Sequence, residues 1–424
     1  MDLTTANTDD VRKHHDAAAA RMEQLRGRNL SLDMTRGKPS PEQLSLSDDL
    51  LIAVQPGDTT GEDGTDLRNY GGLAGIPEAR RLFGAYLGTK PEQVVVGGNS
   101  SLAMMWDVLS NAMSYGMPGG NGPWRDQSPK FICPVPGYDR HFAICERLGI
   151  EMITVEMTPT GPDMDAVQAL VKDDPSVKGI WCVPKYSNPS GETYSTETVD
   201  ALASMPAAAA DFLLLWDNAY AVHHLGDGPA SLSDILKACE KAGNPNRAIV
   251  FGSTSKLTLA GAGVAMLASS PANVKDHLEK INYAMIGPDK INQLRHVRFF
   301  KDMDGILAHM KKHAEIVAPK FAAVNDALEK NLGGTGLATW TRPEGGYFVS
   351  LDVLDGCASA VIKRCADAGV KMTPAGSTYP YGKDPHDRNI RIAPTLPSVD
   401  EIKIAMTVLT AAIEEICTKK LMQG

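Results

Sequence analysis

Lys256 stands in FGSTSKLTLAGAG, between an apolar run from Ala248 to Phe251 and a glycine-rich tract. A lysine is ordinarily a surface residue. One whose ammonium is partly desolvated gives up its proton more easily and becomes a nucleophile toward carbonyl carbon, so Lys256 is a candidate for Schiff-base chemistry. Three further stretches carry groups that fit the same chemistry. In VVVGGNSSLAMMWDVL an apolar run meets a turn and then a helical pattern. Hydroxyls and free amides around Asn99, Ser100 and Ser101 suit a phosphate there, although a simple capped turn reads the same way. In YSNPSG, Asn188 lies in a turn held by Pro189 and Gly191, a setting that is usually structural. In LLLWDNAY, Asp217 ends an apolar run and Tyr220 follows three residues later. That carboxylate either caps a helix or meets a cationic group in a pocket.

These groups need elements that bring them to one place. From about residue 90 to 270, short runs rich in Val and Ile alternate with longer helical patterns, which predicts an α/β fold with a mostly parallel sheet covered by helices. Strands are expected at Gln93 to Val96, Lys130 to Cys133, Glu151 to Val155, Gly179 to Val183, Phe212 to Trp216, Ala248 to Phe251 and Val264 to Leu267. In this seven-stranded sheet the candidate groups all fall just past a strand, where open α/β sheets bind ligands. One long helical stretch from about Ile291 to Leu332, then EGGYFVSLDVL and helices at Ala358 to Ala368 and from Val399 onward, predict a second, smaller α+β domain. The expected division is a segment 1–60 packing with the small domain and the active site, a large domain 61–300 and a small domain 301–424.

A phosphate cradle, a carboxylate able to keep a ring nitrogen protonated and a Schiff-base lysine together describe a site for pyridoxal 5'-phosphate (PLP). The chain resembles the fold-type I, class I/II PLP-dependent aminotransferases. Asn188-Pro189-x-Gly191, Asp217-x-x-Tyr220, Ser253-x-Ser255-Lys256 and Arg391 follow in that family's order and at about its spacing. NYGGLAGIPEAR with Tyr70, Gly75 and Arg80, PGYDRHFAICERLG with Tyr138, and EGGYFVSLDV agree with it, so the resemblance covers nearly the whole chain. It implies that Lys256 holds the cofactor and shuttles a proton between the substrate α-carbon and cofactor C4'. Asp217 would pair with the pyridinium nitrogen, Tyr220 and Asn188 with the ring hydroxyl oxygen, and Tyr138 would stack on the ring. The resemblance further implies a phosphate surrounded by Asn99, Ser100, Ser101 and Ser253, with Tyr70 arriving from the partner subunit of a homodimer. Arg391 would grip the substrate α-carboxylate and Gly37 close over the substrate. One departure stands out: the family usually carries a phosphate-binding arginine seven or eight residues after the lysine, where this chain reads Ala262-Gly263-Val264.

That departure, with MTRGKPSPEQL and IGPDKINQLRHVRFF, is similar to a divergent branch of aspartate aminotransferases, which implies ping-pong transamination between aspartate and 2-oxoglutarate. A dicarboxylic substrate needs a second cation. Arg36, Lys38, Lys185, Lys290 and Arg295 are candidates, with Lys290 preferred because related enzymes donate such a cation across the dimer interface from that place. An exposed structural lysine accounts for Lys290 equally well. Other amino donors (alanine, aromatic amino acids, aminoadipate) and a lyase reaction stay open on the same scaffold. A regulatory PLP-binding module fits poorly, since no helix-turn-helix extension is expected ahead of the core.

Composition narrows the rest. With 424 residues, 43% hydrophobic and 22% charged, the chain is globular, and its net charge of −9 gives no reason to expect nucleic acid or an anionic membrane as partner. Seven cysteines without a CxxC pair argue against a disulfide framework or thiolate metal site, and His223-His224 shows no metal spacing beyond adjacency. No signal-like amino terminus or membrane-length apolar run is seen, so a cytoplasmic protein is expected.

Overall fold

The central sheet of the computed structural model, which describes residues 1–423, holds eight strands, of which seven are three residues or longer. These seven are β1 (Val94–Val96), β2 (Lys130–Val135), β3 (Glu151–Thr158), β4 (Val177–Cys182), β5 (Leu213–Asp217), β6 (Ala248–Ser253) and β7 (Ala265–Ala268). Their order is β1-β7-β6-β5-β4-β2-β3, and β7 alone runs antiparallel to both neighbours. The sheet has one strand more than the sequence suggests. After β3 the chain turns back at once, and Gly161–Pro162 pairs antiparallel with Met157 and Thr158 at the edge.

The continuous apolar runs follow from burial of both faces. Val94, Val96, Ile132, Ile180, Leu214 and Val250 point into one core. Their alternate neighbours Val95, Phe131, Cys133, Trp181, Leu213, Leu215, Ile249 and Phe251 point into the other. Strands β2, β4, β5 and β6 pair in parallel, and β1 shares their direction across β7. The segments leaving these strands therefore gather along one edge of the sheet, which is what positions the candidate groups.

A second core lies around a three-stranded antiparallel sheet, β8 (Ala338–Trp340), β9 (Val349–Val353) and β10 (Asn389–Ile392), with the helices Ala358–Asp367 and Val399–Leu421. Leu3, Met22 and Leu25 of the amino-terminal region share this core with Leu351, Val361 and Ile413. The single helix expected from Ile291 to Leu332 is two helices, Lys290–Phe300 and Met303–Leu332. Lys301 takes φ +68°, and Asp302 caps the second helix by accepting from the Gly305 amide at 2.9 Å. Only glycine fits at 305, because a Cβ there would lie 1.8 Å from the Phe300 carbonyl oxygen. In the second helix Ile306 and Met310 belong to the core of the large sheet, whereas Val317, Val324 and Leu328 belong to the second core. All seven cysteines are buried and unpaired by disulfides. Among the described residues no helix is long and apolar enough to cross a membrane.

Candidate active site

A cavity of about 690 Å³ opens where the strands end, and both cores contribute to its wall. Its floor is the turn after β6. The amides of Leu257 and Thr258 both donate to the Thr254 carbonyl at 2.8 Å. The Thr254 hydroxyl accepts from the Val264 amide at 2.8 Å and pairs with His296 Nε2 at 3.0 Å. This knot presents Lys256, whose Nζ lies 5.1 Å from the Tyr220 ring centroid and 5.9 Å from that of Tyr347. Burial among these rings lowers the pKa of the amine, and the charge of Asp217 partly offsets the effect. An amine in that setting deprotonates more easily, the property that a nucleophilic lysine needs.

Asp217 closes β5 and is only 4% exposed. One carboxylate oxygen, Oδ2, lies 3.0 Å from His141 Nε2. His141 is itself fixed by stacking on Trp181, 4.1 Å between centroids and 5° from parallel, and by the edge of Tyr138 at 4.8 Å. The other oxygen, Oδ1, is buried with no hydrogen-bond partner among the described residues. Leaving a buried acceptor unmet costs on the order of 1–3 kcal/mol, more when it is charged. A bound ring presenting an N–H to Oδ1 would remove that cost, so the site fits a protonated heteroaromatic cofactor. Tyr220 is buried beside it, and burial pushes its hydroxyl well above the usual phenol range. Tyr138 borders the same cavity, its hydroxyl pushed up to about 12, chiefly by burial.

Arg391 comes from β10, held in register opposite Ser350 of β9. Its guanidinium lies 5.0 Å over the Phe348 ring, donates from Nη1 to Asp139 Oδ1 at 2.9 Å and more loosely to Asn188 Oδ1 at 3.5 Å, and keeps Nε buried without a partner. Gly37 crosses the same ring. A Cβ there would lie 2.4 Å from Phe348 Cζ, so only glycine lets the chain pass. Residues 32–38 are stitched to the second core by parallel pairing of Leu32 and Asp33 with Val370 and Lys371 and by the Thr395 hydroxyl on the Lys38 carbonyl. That stitching brings Arg36, Gly37 and Lys38 to the cavity mouth, beside Arg140 and Lys371.

At the other end, Ser101 lines the cavity at the start of helix Ser101–Tyr115, and Ser100 caps that helix by accepting from the Ala103 amide at 3.2 Å. Asn99 donates to the Gly261 carbonyl and the Ser255 hydroxyl donates to the Asn99 carbonyl, tying this turn to the glycine tract. Ser253 is buried at the end of β6 and accepts from the Ser255 amide at 3.4 Å. The place of the expected arginine is filled by apolar packing: Val264 is buried in the core, and a side chain on Gly263 would crowd the Ser255 amide at 3.0 Å.

Several residues singled out in the sequence lie elsewhere. Tyr70 is 81% exposed and does not line the cavity. Lys290 is 4% exposed and donates to the carbonyls of Asn69 and Gly71 at 2.6 and 2.8 Å, so within this chain it clamps the Tyr70 loop rather than facing the cavity. Lys185 is buried 5.5 Å from the Tyr186 ring centroid, and Arg295 keeps its Nε buried and unpartnered; neither lines the cavity. Gly75 packs on Val96, and Arg80 donates to the Val94 carbonyl, both structural contacts. Sequence reading passed over His141, Asp139, Arg140 and Lys371. His141 lies three residues after Tyr138 on one helix face, and that spacing is the signal that could have found it. Asp139 and the two cations gave none, since exposed charges are the ordinary surface state.

Comparison with known proteins places the chain in a family. The profile of the family described as aspartate amino-transferase matches residues 3–424. An aspartate aminotransferase of Corynebacterium glutamicum is 49% identical over 406 residues, 94% of each chain. The crystal structure of an aspartate transaminase from that organism superposes with a TM-score of 0.97 at 46% identity, covering 99% of both chains. An α-aminoadipate aminotransferase from Thermus thermophilus shares the fold, with a TM-score of 0.74 at 19% identity over 96% of this chain and 97% of that one. This chain belongs to the aspartate amino-transferase family of fold-type I PLP-dependent aminotransferases.

Proposed function

We propose that this aminotransferase uses pyridoxal 5'-phosphate to move an amino group from aspartate to 2-oxoglutarate. The observation that carries the reading is the two-ended cavity: an arginine seated among buried groups at one side, an excess of exposed cations at the mouth, and Lys256 with Asp217 at the floor. The 49% identity to an aspartate aminotransferase supports the choice of substrate.

When bound, the cofactor supplies an aldehyde that condenses with amines and a ring that accepts the electron pair left at the substrate α-carbon. The protein does the rest. Asp217 Oδ1 would accept the ring N–H, with His141 keeping that carboxylate in place. Tyr220 and Asn188 would hold the ring oxygen, and Tyr138 would cover the ring face. Lys256 Nζ, its pKa lowered by burial, would take the proton from the substrate α-carbon and deliver it to cofactor C4', two bonds away across the nitrogen. Arg391 holds the α-carboxylate through a planar fork that lysine lacks. Arg36, Lys38, Arg140 and Lys371 meet the second carboxylate. Hydroxyls and amides from Asn99 to Ser101, with Ser253, would hold the phosphate without a local cation, Ser101 being the one of them that lines the cavity.

We further place Tyr70 in the active site of a partner subunit. Its exposure, and that of Tyr283 and Ile286, supports a homodimer, and the Lys290 clamp fixes the loop that would reach across. The deciding experiment mixes the cofactor-loaded protein with aspartate, glutamate, alanine, aromatic amino acids or aminoadipate and follows the cofactor absorbance. Fast decay with aspartate and glutamate, and slow decay with the others, is expected. A preference for alanine or an aromatic amino acid would overturn the dicarboxylate assignment.

A further inference from the structure

The guanidinium of Arg391 already holds a carboxylate, and that carboxylate belongs to the protein. Asp139 Oδ1 lies 2.9 Å from Nη1. The two partners differ in freedom. Arg391 is 8% exposed, fixed by its place in β10, by Phe348 and by Asn188; the Asp139 side chain is 39% exposed and reaches in from the cavity side. The contact is also incomplete. It engages one Nη, and Arg391 Nε stays buried and unpartnered, so the fork is only partly used. A free carboxylate able to meet the fork with two oxygens makes the better pair.

We propose that Asp139 is an internal competitor for the carboxylate seat at Arg391, released each time substrate enters. The inference rests on the reading of Arg391 as the α-carboxylate partner. Release costs little, for two reasons. Asp139 is the first residue of helix Asp139–Leu148, where the helix start stabilises a negative charge whether or not it is paired. The cations Arg36, Lys38, Arg140 and Lys371 line the same cavity beside one further exposed carboxylate, Asp33, which attracts Arg36 and Lys371, and positive charge still exceeds negative there. The pair also joins the helix after β2 to a strand of the second core, and its neighbours Tyr138 and His141 touch the other working groups. Exchange of Asp139 for substrate is therefore sensed at the segment that covers the ring and steadies Asp217.

Competition of this kind has a numerical signature. A seat closed for part of the time weakens every carboxylate by one common factor, the inverse of the open fraction. Asp139→Asn and Asp139→Ala, each checked for an unchanged melting temperature and cofactor absorbance, are titrated calorimetrically with maleate, and butyrate is measured as its competitor. Both ligands should bind tighter by the same factor, about 2- to 5-fold, the size expected for a partly exposed ion pair. KM for aspartate should fall by that factor. Weaker binding of both ligands would make Asp139 a fixed support of Arg391 and overturn the proposal, as would no change, or a change for maleate alone. Arg391→Lys separates the two levels of the argument. If it leaves both ligands unaffected, the α-carboxylate assignment itself falls, and the competitor with it; if it weakens both while the Asp139 variants do nothing, only the competitor is lost.

Discussion

The floor and the mouth of the cavity solve opposite problems. At the floor, Asp217, Tyr220 and His141 are buried and Lys256 lies among aromatic rings, and burial lowers the pKa of the Lys256 amine and raises that of the Tyr220 hydroxyl. At the mouth, Arg36, Lys38, Arg140 and Lys371 are exposed beside one exposed carboxylate, Asp33, with solvent around their charges. Burial makes an electrostatic interaction strong and costly to disturb, whereas solvent makes it weak and replaceable. Chemistry common to any amino donor belongs at the floor, and the choice among donors can be spread over several weak contacts at the mouth.

Substitutions should sort along that gradient. Lys256→Ala is expected to lower kcat by about 10⁴-fold or more, since it removes both the anchor and the proton carrier of the proposed mechanism, while the cofactor still binds without a covalent link. Single-turnover absorbance measurements with aspartate check this, and appreciable turnover would put the chemistry elsewhere. Asp217→Asn should cost roughly 10²–10³-fold in kcat, the range for losing one preorganised charge in a dry site. The same variant carries a pH signature. Asp217 favours the ammonium form of Lys256 against the effect of burial, so its removal moves the pKa of the amine further down. Covalent capture of added pyridoxal 5'-phosphate by the cofactor-free variant, trapped with borohydride, should then begin at a lower pH than in the unaltered protein. An onset at higher pH would contradict the assigned charge of Asp217.

Legibility in the sequence followed the same gradient. Continuous Val, Ile and Leu runs announced strands buried on both faces, and the residues that end them could be named because a lysine or aspartate just past a buried strand is out of place. His141 escaped because its partner lies 76 positions away, and its role exists only when β2 and β5 stand in one sheet. The break at Lys301 escaped because a positive φ at lysine leaves no compositional trace. At the mouth the difficulty has another cause. Lys290 and Arg36 look alike in sequence, yet within this chain one is buried against the Asn69 and Gly71 carbonyls and the other is brought to the cavity by the pairing of Leu32 and Asp33 with Val370 and Lys371.

Arg391 lies between the extremes, buried like the floor but charged like the mouth. Arg391→Lys keeps the charge and loses the fork, and is expected to raise KM for aspartate roughly 30-fold, the low end for disrupting a buried charge pair, with a smaller change in kcat. Steady-state kinetics decide it: an unchanged KM would mean that the α-carboxylate is held by another group.

The smallest effects are expected at the mouth. Arg36→Ala, Lys38→Ala, Arg140→Ala and Lys371→Ala should each raise KM for aspartate by no more than about fivefold, because an exposed ion pair contributes about 0.2–1 kcal/mol. Alanine, which lacks the second carboxylate, should be almost unaffected as donor. Salt sharpens the test, since the Debye length shrinks from about 10 Å at 0.1 M to about 3 Å at 1 M and exposed charges are screened first. Raising ionic strength should therefore erode the advantage of aspartate over alanine in the unaltered protein and do so less in the variants. One cation whose removal alone costs far more than the others would show that the second carboxylate has a single dedicated partner, and that the mouth is built on the same plan as the floor.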